Sequence, residues 1–383
     1  MRKVLALGTL TAALAVAVVG AAGGANPNTL TLAVFGDSPY LDPAFATRPD
    51  AEFNATPAFI STINADPSVE EVVHVGDIHS GSEACTVAYD QAIANYWTGF
   101  QRPLIYTPGD NEWSDCTKPK QLNGKDVFGH GPDFNGDPLI HLGILRHLFF
   151  PNPGWTLGQE PMAVISQAIA HDPAFPADAQ FVENVMWERS KTVFVTINVP
   201  GGSNNDTDPW NGAARNQAAE DAERAARTAA DIRWLNAAFT LAETDHAHSL
   251  VIIGQSDMWD TADAPAHQTN YEPIIATIAA DATRYGKPVM YLNGDSHVYR
   301  SDNPLRRESP CDTETNPCTA DAWLQHPFYD VPNFHRLVVH GSTFPLEWLK
   351  LRIDPRAAWE NAATPTSWGP FSWERKTQTQ LTP

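Results

Sequence analysis

Residues 31–37 read TLAVFGD, a short apolar run that ends in Gly-Asp. The same pattern returns in EVVHVGD (71–77), PLIYTPGD (103–110) and PVMYLNGD (288–295). Short apolar runs bounded by turn residues predict buried strands. Helices are predicted at 53–63 and 84–99, so the first three strands form a β-α-β-α-β series that is typical of an α/β sheet. Ligand sites in such sheets lie beyond the carboxyl ends of the strands, where these acids fall.

The rest of the chain continues the alternation of strands and helices. Patterning predicts a helix at 138–149, a hairpin at 181–188 and 191–198, a long helix at 215–242, a strand at 249–254, a helix at 271–284 and a closing pair of strands at 335–341 and 346–353. An Asn/Gly-rich loop at 200–212 either hydrogen-bonds a polar ligand or is a plain surface connection. We predict one domain, residues 26–383, with two α/β halves and its loops on one face.

Composition excludes several classes of protein. The chain has 383 residues with 12 Trp and 17 Phe, which excludes a disordered or fibrous protein. Its formal net charge of -20 repels nucleic acid and anionic lipid, because phosphate binding needs clustered basic residues. We therefore expect no nucleic acid partner. A small-molecule substrate is expected instead, since a long polyanion is disfavoured unless a metal supplies positive charge.

The N-terminus has the pattern of a secretory signal peptide. Arg2 and Lys3 precede an apolar run at 4–19, which is followed by small residues. We predict a signal peptide over residues 1–25 and a secreted or periplasmic protein with no membrane attachment after cleavage. The alternative is an uncleaved membrane anchor, because the run approaches spanning length.

Four cysteines are expected to form two disulfides. An even count in an exported protein indicates disulfide pairing, and three pairings exist for four residues. Cys311 and Cys318 are close in sequence and are predicted to pair, which leaves Cys85 for Cys116.

Polar side chains follow five predicted strands. They are Asp37, Asp77, Asp110, Gln255, and Asp295 with His297. Clustered carboxylates repel one another and need a cation or protons to coexist, so their convergence indicates a metal site. The alternative interpretation is that each Asp caps the helix after its strand.

The motifs at these strand ends resemble those of the calcineurin-like metallophosphoesterases. Their variants resemble a bacterial branch of that superfamily with divergent motifs. The motifs in order are GDSPY (36–40), GDIHSG (76–81), GDNEW (109–113), IIGQSDMW (252–259) and NGDSH (293–297). The resemblance implies a four-layer α/β/β/α sandwich with two mixed sheets flanked by helices. It also implies two metal ions bridged by the Asp of the second motif. A phosphoester would be hydrolysed by metal-activated hydroxide, with the His of the third motif assisting the leaving group.

Carried over by position, Asp37, Asp77 and His297 match the family's ligands. Pro39 stands where the first motif has a His. Oxygen donors occupy the remaining ligand positions, which are Asp110, Gln255 and Asp295. An oxygen-rich site favours Mg²⁺, Mn²⁺ or Ca²⁺ over Zn²⁺. The resemblance thus implies two divalent ions. The first would be held by Asp37, Asp77 and His297, with water in place of the missing ligand.

The third motif departs most from the family. Asn111 occupies the position of the catalytic His, and an amide is a poor proton donor. His79 is a candidate replacement acid or a surface histidine. Glu112 either orients a ligand or caps a turn, and Tyr40 either lines a substrate pocket or packs around the site.

The predicted function is hydrolysis of a phosphomonoester or phosphodiester. One alternative is a metal-bound binding protein without catalysis, which Asn111 and Pro39 favour. Another is an exported structural domain without metal.

Overall fold

We describe the fold from a computed structural model of the chain. It describes residues 29–40, 51–117, 131–205, 216–314, 318, 320–357 and 363–378. The predicted signal peptide at 1–25 lies outside these residues, so it stays a prediction, as does the domain boundary at residue 26.

Fourteen strands lie in the described part of the chain. They are β1 (Leu30–Phe35), β2 (Glu71–His74), β3 (Leu104–Tyr106), β4 (Ile165–Ser166), β5 (Val185–Arg189), β6 (Thr192–Thr196), β7 (Ser249–Ile253), β8 (Val289–Asn293), β9 (Arg300–Asp302), β10 (Asp312–Thr313), β11 (Phe334–Val338), β12 (Glu347–Ile353), β13 (Ser367–Trp368) and β14 (Phe371–Thr377). The helices are α1 (Ala51–Asn64), α2 (Val87–Trp97), α3 (Pro138–Phe149), α4 (Gln167–Ala170), the single turn α5 (Gly201–Asn205), α6 (Gln217–Thr244) and α7 (Glu272–Tyr285).

The strands form two mixed sheets. The first has the order β13-β14-β12-β1-β2-β3, and its β1, β2 and β3 are parallel. The second has the order β10-β9-β11-β8-β7-β6-β5-β4, and its β6, β7, β8 and β11 are parallel. The parallel strands thus form one side of the first sheet and the centre of the second, and their carboxyl ends can present side chains to one site.

Three apolar cores hold the layers together. The two sheets face each other across a core that includes Leu32 of β1 and Val251 of β7. The outer face of the first sheet packs on α1, α2 and α3, with Trp97 fully inside that core. The outer face of the second sheet packs on α6 and α7, where Trp234 is buried. The predicted four-layer α/β/β/α sandwich is confirmed.

The prediction of a closing pair of strands was wrong in one respect. Both strands exist, but β11 pairs with β8 and β9 in the second sheet, whereas β12 lies between β1 and β14 in the first. The chain crosses between the sheets after His340, so the two strands face each other across the central core instead of sharing hydrogen bonds. Five short or terminal strands, β4, β9, β10, β13 and β14, were not predicted.

Both predicted disulfides are present. Cys85 pairs with Cys116 and Cys311 pairs with Cys318. The Cys85 Sγ atom lies 3.5 Å from the carbonyl oxygen of Asn111, so the first bridge packs beside the third motif.

Removing the first bridge should cost more stability than removing the second. The bridges span sequence separations of 31 and 7 residues. Loop-closure entropy then gives about 4 kcal/mol for Cys85–Cys116 and about 2 kcal/mol for Cys311–Cys318. Urea unfolding of the two double Cys→Ala variants measures both losses, and the second pair is the matched control. Equal losses, or a larger loss for the second pair, would contradict the expectation.

No helix in the described residues is both long and apolar enough to cross a membrane.

Candidate metal centre

The polar side chains of the motifs meet between the carboxyl ends of the two sheets. Asp37, Asp77 and Asp110 follow β1, β2 and β3 of the first sheet, and Asp295 and His297 follow β8 of the second. Backbone hydrogen bonds join the loops that carry them: Asp37 N donates to the Gly76 carbonyl at 2.9 Å, and Ser38 N donates to the Asp77 carbonyl at 2.9 Å. The centre is thus built by both sheets.

Two groups of side chains are close enough to hold a metal ion. The first group is Asp37, Asp77 and His297, and the second is Asp77, Asp110 and Asp295. Within each group the candidate ligand atoms lie within 4.8 Å of one another. Asp77 belongs to both groups, so one carboxylate lies where two ions would share a ligand.

The backbone is left-handed at four of these residues. The φ angles are 47° at Asp37, 61° at Asp77, 75° at Asp295 and 62° at His297. Residues with a Cβ are uncommon in this region, and holding each one there costs about 1–3 kcal/mol. Such conformations persist where the surrounding structure fixes them, which is typical of functional sites.

Two glycines of the four Gly-Asp pairs leave room for the carboxylates of neighbouring motifs. A Cβ at Gly109 would lie 2.0 Å from Asp77 Oδ1, and one at Gly294 would lie 2.3 Å from Asp37 Oδ2. Each of these two glycines therefore admits the acid of another motif. A side chain at either position would displace that acid, which explains why both are glycine.

Burial makes these carboxylates costly to ionise without a cation. Asp37 is fully buried, and burial raises its pKa to about 6 even though His297 lowers it. The pKa of Asp77 is raised by burial and then by Asp110 and Glu112. The pKa of Asp295 is raised by burial and by Asp110. One or more bound cations would remove this penalty by favouring the ionised forms.

One buried oxygen supports a cation more directly. Asp37 Oδ2 is buried and accepts no hydrogen bond within the described part of the chain. Buried carboxylate oxygens normally have a hydrogen-bond partner or contact a bound ion. A cation would satisfy this oxygen, for which the described residues supply no donor. Together with two oxygen-rich ligand groups, this fits a pair of divalent cations.

Glu112 accepts hydrogen bonds from the backbone of two motifs. Its Oε1 accepts hydrogen bonds from Tyr106 Oη at 2.6 Å, Gly109 N at 2.6 Å and Asp77 N at 3.2 Å. Burial raises its pKa to about 7, although the Tyr106 hydrogen bond lowers it. Glu112 therefore fixes the relative position of the second and third motifs.

Asn111 contacts the shared carboxylate. Its Nδ2 donates to Asp77 Oδ2 at 3.0 Å and to the Tyr40 hydroxyl oxygen at 3.2 Å, and its backbone N lies 3.2 Å from Asp77 Oδ1. Asn111 is thus inside the centre as predicted by position, and its contacts are those of a hydrogen-bond donor that orients Asp77.

Gln255 lies in the centre, but with its amide nitrogen toward the carboxylates. Nε2 donates to Asp77 Oδ2 at 3.1 Å and to Asp110 Oδ1 at 2.9 Å, while Oε1 accepts from Gly201 N at 2.6 Å. Because Gly201 N can only donate, the carbonyl oxygen must face it. This differs from the carbonyl ligand that the sequence suggested, and ligation by Gln255 stays a prediction.

The loop after β6 reaches the centre through an unusual turn. Gly202, Ser203, Asn204 and Asn205 are all left-handed, with φ between 55° and 61°. A Cβ at Gly201 would lie 2.6 Å from Asp295 Oδ1. L-residues rarely adopt this conformation in succession, so the turn is held in place by tertiary contacts. Residues 200–205, the described part of the Asn/Gly-rich loop, are therefore part of the wall of the centre.

His79 follows Asp77 by two residues, and its burial excludes the surface histidine that was one of the two interpretations. It is buried, its ring meets that of Tyr89 edge to face, and its Nδ1 lies 3.2 Å from the Ser80 carbonyl oxygen. The role of His79 as an acid stays a prediction.

Two other features lie in the centre, the side chain of Tyr40 and the turn that begins at Gly201. In the sequence, the position of Tyr40 directly after GDSP is the only feature that indicates this.

The centre opens to solvent on the side of His297. Its side chain is 41% exposed, whereas that of Asp37 is fully buried. Val298, the next residue, is exposed. A ligand would therefore approach from the loop after β8.

The stabilisation of the fold by a bound cation should depend on pH. The folded pKa of Asp37 is about 6, above its value of about 4 when unfolded. Ionising Asp37 therefore destabilises the metal-free fold as the pH rises from about 4 through about 6, and a bound cation removes this loss. We expect the rise in Tm that Mn²⁺ produces to grow between about pH 5 and about pH 7. The buried His74 and His335, whose pKa values burial lowers to about 4, affect both forms equally. A Tm gain that does not change with pH would contradict this expectation.

The solved structures of similar fold include two phosphatases. One is a purple acid phosphatase from yellow lupin (Lupinus luteus) seeds, with a TM-score of 0.42 and 11% identity over 93% of this chain; the chain spans about half (53%) of that protein. The other is a dimetal phosphatase from Danio rerio, with a TM-score of 0.45 and 12% identity over 92% of this chain and 100% of that one. No protein-family model and no curated protein matches the sequence. At this level of similarity, conclusions about activity rest on the residues of the centre itself.

Proposed function

We propose that the protein is a metal-dependent hydrolase of phosphoesters. Asp37, Asp77 and His297 would hold one divalent cation, and Asp77, Asp110 and Asp295 would hold a second. The observation that carries the proposal is the pair of ligand groups joined by the single buried carboxylate of Asp77. Two cations that share a ligand bind both sides of a phosphoryl group in many phosphate-cleaving enzymes.

The composition of the two groups favours hard cations. Four carboxylates and one imidazole face the centre, so oxygen donors outnumber nitrogen donors. Mg²⁺, Mn²⁺ and Ca²⁺ prefer such oxygen ligands, whereas Zn²⁺ prefers sites richer in His and Cys. Two divalent cations also balance the four negative charges, whereas one would leave carboxylates repelling each other.

Divalent cations at this centre would supply Lewis-acid charge and lower the pKa of water. The protein's own groups would then orient and shield the reaction. Asn111 and Gln255 hold the oxygens of Asp77 through N–H donors, and Glu112 fixes the backbone beneath them. The partly exposed side chain of His297 lies on the open side of the centre, where a substrate would enter.

A metal-bound protein without catalysis is the second candidate. It is favoured by the contacts of Asn111, whose amide is engaged with Asp77 and Tyr40 and supplies no acidic proton. Both candidate functions require bound metal, and only the hydrolase turns over a substrate.

Turnover of aryl phosphate esters separates them. Chelator-stripped protein is assayed with an aryl phosphomonoester and an aryl phosphodiester, before and after adding Mn²⁺ or Mg²⁺. The proposal predicts hydrolysis of one class of ester that needs the added cation. Metal binding without turnover of either ester supports the binding protein, and failure to bind any divalent cation contradicts both candidates.

We further propose an exported protein that acts on a small molecule. The two disulfides suit an oxidising compartment. The net charge of -20 disfavours nucleic acid.

A further inference from the structure

The side chain of Arg227 lies fully inside the protein, next to the left-handed turn α5. Arg227 belongs to α6 and is completely buried. A guanidinium remains charged in proteins and carries five N–H donors in one plane. Burying such a group is costly unless its donors are paired, so its acceptors identify the parts of the structure that it holds together.

The donors of Arg227 are paired with acceptors from three parts of the chain. Nε and Nη2 donate to the two carboxylate oxygens of Glu223, one turn earlier in α6, at 2.9 Å and 3.3 Å. Nη1 donates to the carbonyl oxygen of Asn198, just after β6, at 2.9 Å and to Oδ1 of Asn204 at 2.5 Å. Nη2 also donates to the carbonyl oxygen of Asn204 at 3.3 Å. The guanidinium therefore binds both the side chain and the backbone of Asn204.

Asn204 is the residue through which Arg227 fixes the turn. Its φ is 61° and its ψ is 41°, and Gly202 and Ser203 before it are left-handed as well. Successive left-handed residues are unfavourable for L-amino acids, so such a turn forms only where other contacts compensate. The Asn204 amide also donates to Thr228 Oγ1 of α6 at 3.0 Å. One helix thus holds both ends of the Asn204 side chain.

The beginning of the same turn lies against the whole second ligand group. Gly201 N donates to Gln255 Oε1 at 2.6 Å, which directs Gln255 Nε2 to Asp77 at 3.1 Å and to Asp110 at 2.9 Å. A Cβ at Gly201 would lie 2.6 Å from Asp295 Oδ1 and 2.9 Å from Asp110 Oδ2. The first ligand group shares only Asp77 with this set. Displacing the turn would therefore disturb the second group more than the first.

Arg227 also contacts the third motif. Its guanidinium carbon lies 5.4 Å from the centre of the ring of Trp113, which directly follows Glu112. An aromatic face attracts a cation, and the planar guanidinium can stack there while it donates hydrogen bonds at its edge. A lysine would keep the charge but could not form the paired hydrogen bonds. The contacts are therefore specific to arginine.

We propose that Arg227 is a positioning residue for the second cation, because it holds the turn α5 against the carboxylates of that ligand group. Through the turn, Arg227 keeps Gln255 directed at Asp77 and Asp110. This role for the described part of the Asn/Gly-rich loop differs from both roles that the sequence suggested. The inference rests on the metal centre of the proposed function and on neither its substrate nor its turnover.

The test compares Arg227→Lys with Arg233→Lys in chelator-stripped protein titrated with Mn²⁺. Arg233 is the matched control, because it lies on the same helix and its paired hydrogen bonds go to Asp178, at 2.6 Å and 2.7 Å. Calorimetry measures the affinity for each cation. Electron paramagnetic resonance distinguishes two neighbouring Mn²⁺ ions, whose spins couple, from a single ion. Asp110→Asn identifies the step that belongs to the second cation, since Asp110 is in that group alone.

Arg227→Lys should bind the second cation at least about tenfold more weakly, since groups that orient ligands are worth about 10–100-fold. Its affinity for the first cation should equal that of wild type. At Mn²⁺ concentrations that fill both positions in wild type, the variant should give the signal of a single ion. Arg233→Lys should match wild type in both measurements.

Asn204→Gly is a second, milder variant. Glycine adopts the left-handed conformation freely, so the substitution removes the side-chain acceptor of Arg227 while the turn can still form. We expect the same selective weakening of the second cation, to a smaller extent. Near-ultraviolet circular dichroism shows whether each variant is folded.

Two results would overturn the role of Arg227. One is wild-type affinity for both cations in folded Arg227→Lys, or in Asn204→Gly if Arg227→Lys does not fold. The other is equal weakening of both cations, which indicates a general effect on the fold. In either case wild type still binds two cations and the proposed function is untouched. Wild type that binds no divalent cation would instead refute the metal centre, and with it both proposals.

Discussion

Asp77→Asn is expected to remove both cations and the hydrolytic activity while leaving the fold intact. Asp77 is the member common to both ligand groups. Amide substitution keeps the volume of the side chain and removes its charge, so each cation loses a ligand. Loss of a ligand-orienting group alone costs about 10–100-fold in affinity or activity, so loss of the shared ligand should cost at least about 100-fold.

The metal-free variant should remain folded, because the loss of an unfavourable buried charge offsets the loss of an acceptor for the N–H donors of Asn111 and Gln255. Burial and the neighbouring acids raise the pKa of Asp77, so its charge is unfavourable until a cation binds. Metal content and Tm, with and without Mn²⁺, measure both effects. Asp330→Asn is the control, because that side chain is 80% exposed and tests general loss of negative charge. Unchanged metal stoichiometry in Asp77→Asn would exclude Asp77 as a ligand.

Asp295→His is expected to shift the preference of the centre toward Zn²⁺. Asp295 belongs to the second ligand group, which holds only carboxylates. Its Oδ2 accepts a hydrogen bond from Asp257 N at 2.9 Å, so the side chain is already oriented toward the centre. An imidazole there replaces an oxygen donor by nitrogen, which Zn²⁺ prefers more than Mg²⁺ or Mn²⁺ does.

The ratio of Zn²⁺ to Mn²⁺ affinity should rise by about 10–100-fold, which is the change in metal affinity that loss of one ligand-orienting group causes. Competition binding of Mn²⁺, Mg²⁺, Ca²⁺ and Zn²⁺ to both proteins measures the ratio, with Asp330→His as the matched control. Comparing ratios between proteins cancels the general order of metal affinities. The same ratio in wild type and Asp295→His would mean that Asp295 is not a ligand.

The layered fold could be predicted because its signals are local. The runs that form β1, β2, β3 and β8 are fully buried strands, and each predicted strand or helix around them is present. Their Gly-Asp ends placed the acids at the right edge of each sheet. The separation of β11 and β12 into different sheets was not predictable, because pairing partners depend on the tertiary structure and not on local patterning.

The candidate site was predicted by position, but its hydrogen bonds were not. Asp37, Asp77, Asp110, Asp295 and His297 do converge. The orientation of Gln255 depends on Gly201 N, 54 residues away, and the position of the Tyr40 hydroxyl depends on contacts with α1 and α2. Sequence spacing carries no information on such contacts. From the sequence, an aromatic residue that follows a motif is therefore predicted to pack in the core. Only the structure shows which groups its hydroxyl contacts.

The most direct test of the account is the position of bound cations. Crystals of the protein soaked in Mn²⁺ should show two anomalous-scattering peaks about 3.5–4 Å apart, both in contact with Asp77. One peak should also contact Asp37 and His297, and the other Asp110 and Asp295. Absence of any peak between these carboxylates, or peaks that do not contact Asp77, would contradict the central claim.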